Sequence, residues 1–261
     1  MKRLILSIFV LMMTANVASS DTWYKIATHA HDKDYSDGSR SFASLVAFAK
    51  KLGFDAIVVT DHVEKIAQKS NFSQYLADCD QNSGITIISG TEVTTLKAHT
   101  IVFGTLTVSI LEQLNSAQTI PAVVKIAQDN DLLTVAAHPF KILSPYKIDQ
   151  AQGINGHEWF NDNSIAYGKN LAWSKKMIAD GWHVFNWAGI DSHTPADPQD
   201  SERWTRATFV CARSSSSFDL LTAFRNGQTY ASCWGYRLEN LNLVPGFDLK
   251  IHAVLYFHDF C

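Results

Sequence analysis

The sequence is poor in several residue types, and each shortage excludes a class of protein. Its 261 residues include 4 Cys and no C-x-x-C pair, which argues against a thiolate zinc site. Six Pro and 13 Gly are too few for a collagenous or Pro-rich chain. Basic charge is short as well: 22 Lys and Arg stand against 25 Asp and Glu, a net charge of −3. Without a cationic excess the chain is not built to coat a nucleic-acid backbone. Charged residues make up only 18%, and hydrophobic residues 46%. So apolar a chain can bury enough surface to offset its ordering entropy, which excludes disorder. After the first twenty positions no apolar run is long enough to span a bilayer. No Ser–His–Asp or Cys–His grouping stands out as a nucleophile.

The first twenty residues read differently from the rest. Lys2 and Arg3 precede an uncharged, almost unbroken apolar run from Leu4 to Ala18, and the small residues Ser19 and Ser20 follow. That order is the order of a signal peptide, so residues 1–20 are expected to be removed and the protein to be periplasmic or secreted. The remaining chain holds 20 basic and 25 acidic residues, a net charge of −5. Export permits disulfides. Cys79, Cys211, Cys233 and Cys261 allow three connectivities, and Cys211 with Cys233 is the favoured pair because they fall on neighbouring segments.

Strands and helices alternate along the rest. Strand-like apolar runs occur at Ile26–Thr28, Ala56–Thr60, Ile85–Ser89, Thr100–Phe103, Leu133–Ala136 and Trp182–Ala188. Helical spacing occurs at Ser41–Leu52, Ile120–Asn130, Asn170–Asp180 and Phe218–Asn226, with Gly53, Gly181 and Gly227 as stops. Such alternation predicts an α/β fold with a mostly parallel, helix-covered sheet, closed as a barrel. With no Pro/Ser-rich linker, residues 21–261 read as one domain. Its core runs from about 26 to 232. The tail 233–261 is less regular, with Leu249–Phe257 as a candidate edge strand.

What the sequence does have is 10 His, and their places are informative. His29-Ala30-His31 follows the first strand. Asp61-His62 ends the second and Glu92 the third, His99 begins the next, His138 ends the one after, and Asp191-Ser192-His193 follows the last. Any one His beside a strand is ordinarily a hydrogen-bonded structural residue. Six at strand termini, with Asp61, Glu92 and Asp191, are too many for that reading. Imidazole and carboxylate donors without thiolates suit Zn²⁺, Mn²⁺ or Fe²⁺, and their number suits two or three ions. Clustered ions generate hydroxide near neutral pH and clamp attacking and leaving oxygens, which is the apparatus of phosphoryl chemistry. The aromatics Trp159, Phe160, Trp173, Trp182, Trp187 and Trp204 offer a cleft lining, although so many more often form core. His157, His183, His252 and His258 belong to no motif and read as structural or surface.

The ordered set H-x-H, S-D-G, T-D-H, G-x-E, H, A-H-P and D-x-H resembles the PHP (polymerase and histidinol phosphatase) metallohydrolases. The opening from His29 to Leu52 and the stretch GFDAIVVTDH carry the likeness most closely. It implies a distorted (β/α)7 barrel of the PHP type, with ions at the C-terminal ends of the strands. Trp159, Phe160 and Asn161, with the segment Arg206–Ser232, resemble the exported CehA-like phosphoesterase branch. By this resemblance His29, His31 and Asp191 would hold a first ion, and Glu92 would bridge it to a second completed by His99 and His138. Asp37, His62 and His193 would hold a third. Asp61 would orient a neighbouring imidazole. Lys141 and Arg206 would contact the phosphate of a small-molecule or phosphorylated substrate. A metal-bridging hydroxide, held by Glu92 and Asp191, would attack phosphorus. The family opening is ordinarily Asp-x-His-x-His, and here Ala27 stands where the Asp belongs. The alternatives are a carboxylic ester, carbamate or amide hydrolase on the same ions, or an inactive metal- or polymer-binding protein.

Overall fold

The computed structural model describes residues 21–69, 71–81, 83–96, 98–140, 152–161, 167–179, 185–193 and 203–232. The expected leader, Lys141, Trp182, Cys233, Cys261 and the candidate strand at Leu249–Phe257 lie outside them.

Ten strands pair into one sheet among the described residues: β1 (Thr22–Ala30), β2 (Ala56–Val59), β3 (Thr86–Thr94), β4 (His99–Phe103), β5 (Leu133–Ala136), β6 (Gly156–Glu158), β7 (Phe185–Trp187), β8 (Gly189–Ser192), β9 (Ala207–Ala212) and β10 (Thr229–Ser232). Neighbours run β1 to β7 in sequence order. β7 pairs with β6, and β8, one residue further on, pairs with β1. The sheet therefore curls back on its first strand, giving the distorted barrel. β9 pairs with the first half of β1, and β10 pairs with β9.

The pairing is more mixed than alternation alone predicts. β1–β2–β3 and β5–β6–β7 are parallel, but β3–β4–β5 and β1–β9–β10 are antiparallel. For β3 and β4 the reason is loop length. Only residues 95–98 join β3 to β4, and a parallel crossover needs a dozen or more.

Seven helices are described: α1 (Phe42–Lys51), α2 (Val63–Gln68), α3 (Phe72–Cys79), α4 (Val108–Ser116), α5 (Ile120–Asp129), α6 (Tyr167–Ala179) and α7 (Ser217–Arg225). Ser41 caps α1 by accepting from the Ser44 N–H, and Thr119 caps α5 with Pro121 in its first turn. α2, α3 and α4 carry no Gly stop, and the periodicity reading passes over them.

Side-chain alternation divides the core in two. Ala27, Ile57, Val59 and Val102 pack outward with Leu45, Val46, Ile66 and Leu111 of the helices. Ile26, Val58, Ile88, Phe103, Val135 and Trp187 pack on the other face with Leu220 and Phe224 of α7. Burial on both faces explains why the strands read as unbroken apolar runs. Trp173, Trp187 and Trp204 are buried core residues, the commoner of the two readings, and do not line a cleft. His157 is buried too, edge-on to Trp173. Cys79 and Cys211 are free thiols.

Candidate metal centre

Glu92 is the hub of the site. It lies four residues beyond Ile88 on β3 and so shares the inner face. Its side chain is 1% exposed. The two carboxylate oxygens face different imidazoles. Oε1 is 2.8 Å from His99 Nδ1 and 3.1 Å from His138 Nε2. Oε2 is 3.2 Å from both His29 Nε2 and His31 Nε2, and 3.4 Å from His62 Nε2. Asp191 lies on the far side, its Oδ1 3.4 Å from His29 Nε2 and 3.6 Å from His31 Nε2. At the outer end, Asp37 is 3.9 Å from His62 Nε2 and 3.6 Å from His193 Nε2. The structure thus brings together His29, His31, Asp37, His62, Glu92, His99, His138, Asp191 and His193.

The convergence of His29 and His31 does not come from a regular extended strand. The register of β1 against both β2 and β8 shifts just before Ala30, and His29 has φ 61°. A bulge, rather than simple two-residue alternation, turns both rings inward. His138 (φ 27°) and Asp191 (φ 49°) share this left-handed backbone. Three of the four described non-glycine residues with positive φ are thus candidate ligands. Such strain persists only where surrounding structure holds it, and it concentrates at functional sites.

Electrostatics follow from the crowding. Burial works to raise the Glu92 carboxyl, but the imidazoles around it outweigh burial and hold it well below the usual range. Asp191 behaves alike, chiefly through His29. Asp61 goes the other way: burial, then the charge of Asp32, pushes it well up.

Four groups of donor atoms lie within 4.8 Å of one another: His29, His31 and Asp191; His29, Glu92 and His138; His62, Glu92 and His99; and His31, Asp37, His62 and His193. Neither ring nitrogen of buried His31 makes a hydrogen bond, although its Nε2 points at two carboxylates. Buried nitrogen donors converging on carboxylates with hydrogen bonds unmade fit a divalent cation.

Other residues fall differently from the sequence reading. The Asp61 carboxylate accepts from the Asp32 backbone N–H at 2.8 Å and, among the described residues, bonds to no imidazole. The carboxylate that does orient an imidazole is Glu158, 2.6 Å from His29 Nδ1. Sequence reasoning passed over it, although it directly precedes the Trp159–Asn161 motif. Arg206 donates to the Asn161 backbone carbonyl. Lys65 was also missed, and its Nζ lies 3.5 Å from Asp37 at the open end.

A family model described as PHP domain matches residues 27–162, more than half of the chain. The chain belongs to the PHP domain family. The matched span holds seven of the nine clustered residues, and Asp191 and His193 lie beyond it. Comparison with curated proteins gave no match. Among solved structures, a two-domain protein from Bacteroides vulgatus containing a predicted PHP-like metal-dependent phosphoesterase aligns with TM-score 0.65 at 20% identity. The alignment covers 82% of this chain and 66% of that one, so this PHP chain spans a little under two thirds of its length. PsfC from Pseudomonas syringae aligns with TM-score 0.61 at 16% identity, over 81% of this chain and 92% of that one. At such identities the likeness is one of fold. Among the described residues, no helix is long and apolar enough to cross a membrane.

Proposed function

We propose that this PHP chain is a metal-dependent hydrolase, and more narrowly a phosphoesterase acting on phosphomono- or diesters. One observation carries the reading: a buried carboxylate, Glu92, presents each of its oxygens to a separate set of imidazoles. That arrangement suits a bridge between two cations. His29, His31 and Asp191 would hold one. Glu92, His99 and His138 would hold the second, and Asp37, His62 and His193 a third. Divalent ions bound there would supply Lewis acidity and a nucleophile near neutral pH.

The chain's own residues do the rest. His29, His31, Glu92, His138 and Asp191 are buried, whereas His193 and Asp37 are 33% and 35% exposed, and we read their end as the entrance. Lys65 stands at that entrance and is suited to meet an anionic substrate as it arrives. Arg206, whose guanidinium donates to the Asn161 carbonyl, would be a phosphate contact. Placement in the exported CehA-like branch belongs to the same proposal and rests on Trp159, Phe160 and Asn161, on the segment 206–232, and for export on residues 1–20.

The test is turnover of generic aryl phosphate mono- and diesters, with Zn²⁺, Mn²⁺ and Fe²⁺ supplied in turn. His31→Ala and Glu92→Ala are expected to lower turnover by at least about 100-fold, the upper end of what losing an outer partner of a ligand costs. Circular dichroism should remain that of the parent. Activity surviving both changes would place the chemistry elsewhere. Inactivity of the metal-loaded parent on every ester would sink the phosphoesterase reading.

A further inference from the structure

Position 27, two residues before His29, is Ala and offers no carboxylate to an imidazole. A carboxylate reaches His29 instead from 129 residues away in the chain. Glu158 Oε1 lies 2.6 Å from His29 Nδ1, with both side chains fully buried. The other oxygen accepts from the His138 backbone N–H at 2.6 Å and from the Asn161 side-chain amide. One carboxylate thus grips the ring of one clustered histidine and the backbone of another, both at positive φ. The sheet makes room for it at Gly189. A Cβ built at Gly189, on β8, would overlap Glu158 Oε1.

We propose that Glu158 is a positioning residue for the cation site. It holds His29 as the Nδ1–H tautomer, donating to Oε1, so that Nε2 faces Glu92 and Asp191. It pins His138 through its amide, and Gly189 is the vacancy that admits it. The inference rests on the cation reading above. A carboxylate behind an imidazole fixes ring orientation and raises its basicity as a ligand.

The full chain, stripped by chelator, is titrated calorimetrically with Mn²⁺ as parent, Glu158→Gln and Gly189→Ala. Glu158→Gln keeps the shape and removes the charge. Gly189→Ala removes no polar group from the chain and displaces the carboxylate. Each is expected to weaken the tightest Mn²⁺ site 10- to 100-fold, the range for such outer partners. Thermal melting of the metal-free chains separates positioning from scaffolding. Weakened binding with an unchanged metal-free midpoint in Glu158→Gln supports the proposal. Unchanged affinity in either variant overturns it, as does an affinity loss that merely tracks lowered metal-free melting in both. A parent chain that takes up no Mn²⁺ overturns the cation reading itself.

Discussion

Two imidazoles that face the same carboxylate oxygen are driven in opposite directions. Burial pulls His31 down, but Asp191 and Glu92 outweigh it and lift its pKa to about 8. Burial dominates at His62 and lowers it to about 4, against the pull of Glu92. In the unfolded chain both would titrate near 6.5. The stability His31 contributes is therefore complete below pH 6.5 and lost as pH rises through 8. His62 costs nothing above pH 6.5 and destabilises as pH falls from there towards 4. Nitrogen NMR of the metal-free chain at pH 7 should find His31 protonated and His62 neutral. A cation needs the neutral ring, so loading at pH 7 should release protons, that of His31 among them, visible with an indicator dye in weak buffer. Loading without proton release would mean that His31 is not a ligand. Most of these donors were legible in the sequence because each sits next to an apolar strand. Glu158 was not, because nothing local to Gly156–Glu158 announces that its partner is His29.

At the scale of the element, the loop from Asp32 to Arg40 matters most. It turns back over the end of β1, with the Lys33 N–H bonded to the Arg40 carbonyl and the Gly38 N–H to Asp32. A Cβ at Gly38 would overlap the His31 carbonyl oxygen. Gly38→Ala must therefore shift backbone, at about 1–3 kcal/mol of stability. Asp37 moves with it, so the outermost cation should be lost first. Elemental analysis should find one ion fewer per chain, with the inner ions kept. A full complement would show that Asp37 does not hold the outer ion. The strands from Ala56 and Leu133 were readable because burial on both faces leaves an uninterrupted apolar run. The strands β6, β9 and β10 were not bounded in the same way. Gly156–Glu158 is three residues long with a buried Glu and His, and no periodicity can show in so few positions.

For the whole molecule, Trp187 marks where the curled sheet meets itself. It is fully buried, 4.7 Å from the Phe103 ring and 5.2 Å from that of Phe224. Trp187→Ala should cost about 3–5 kcal/mol, the usual range for emptying so large a buried site. Denaturant melting would read this as a lower midpoint, and a change under 1 kcal/mol would mean that the space refills. The α/β class followed from alternation, because apolar runs and helical spacing are local properties. The antiparallel pairings did not, since the direction of β4 is set by a four-residue connection rather than by its composition.

Residues 185–192 begin on β6 and end on β1, which imposes an order in time. A nascent chain, emerging from its first residue, holds seven of the nine clustered side chains by residue 138. The segment that closes the sheet onto β1, and brings Asp191 and Gly189 with it, is not yet made. Cation capture by His29, His31 and Asp191 then accompanies sealing and cannot precede it. A chain stopped after residue 162 ends where the family match ends, and it should bind cations only through the groups that do without Asp191 and His193.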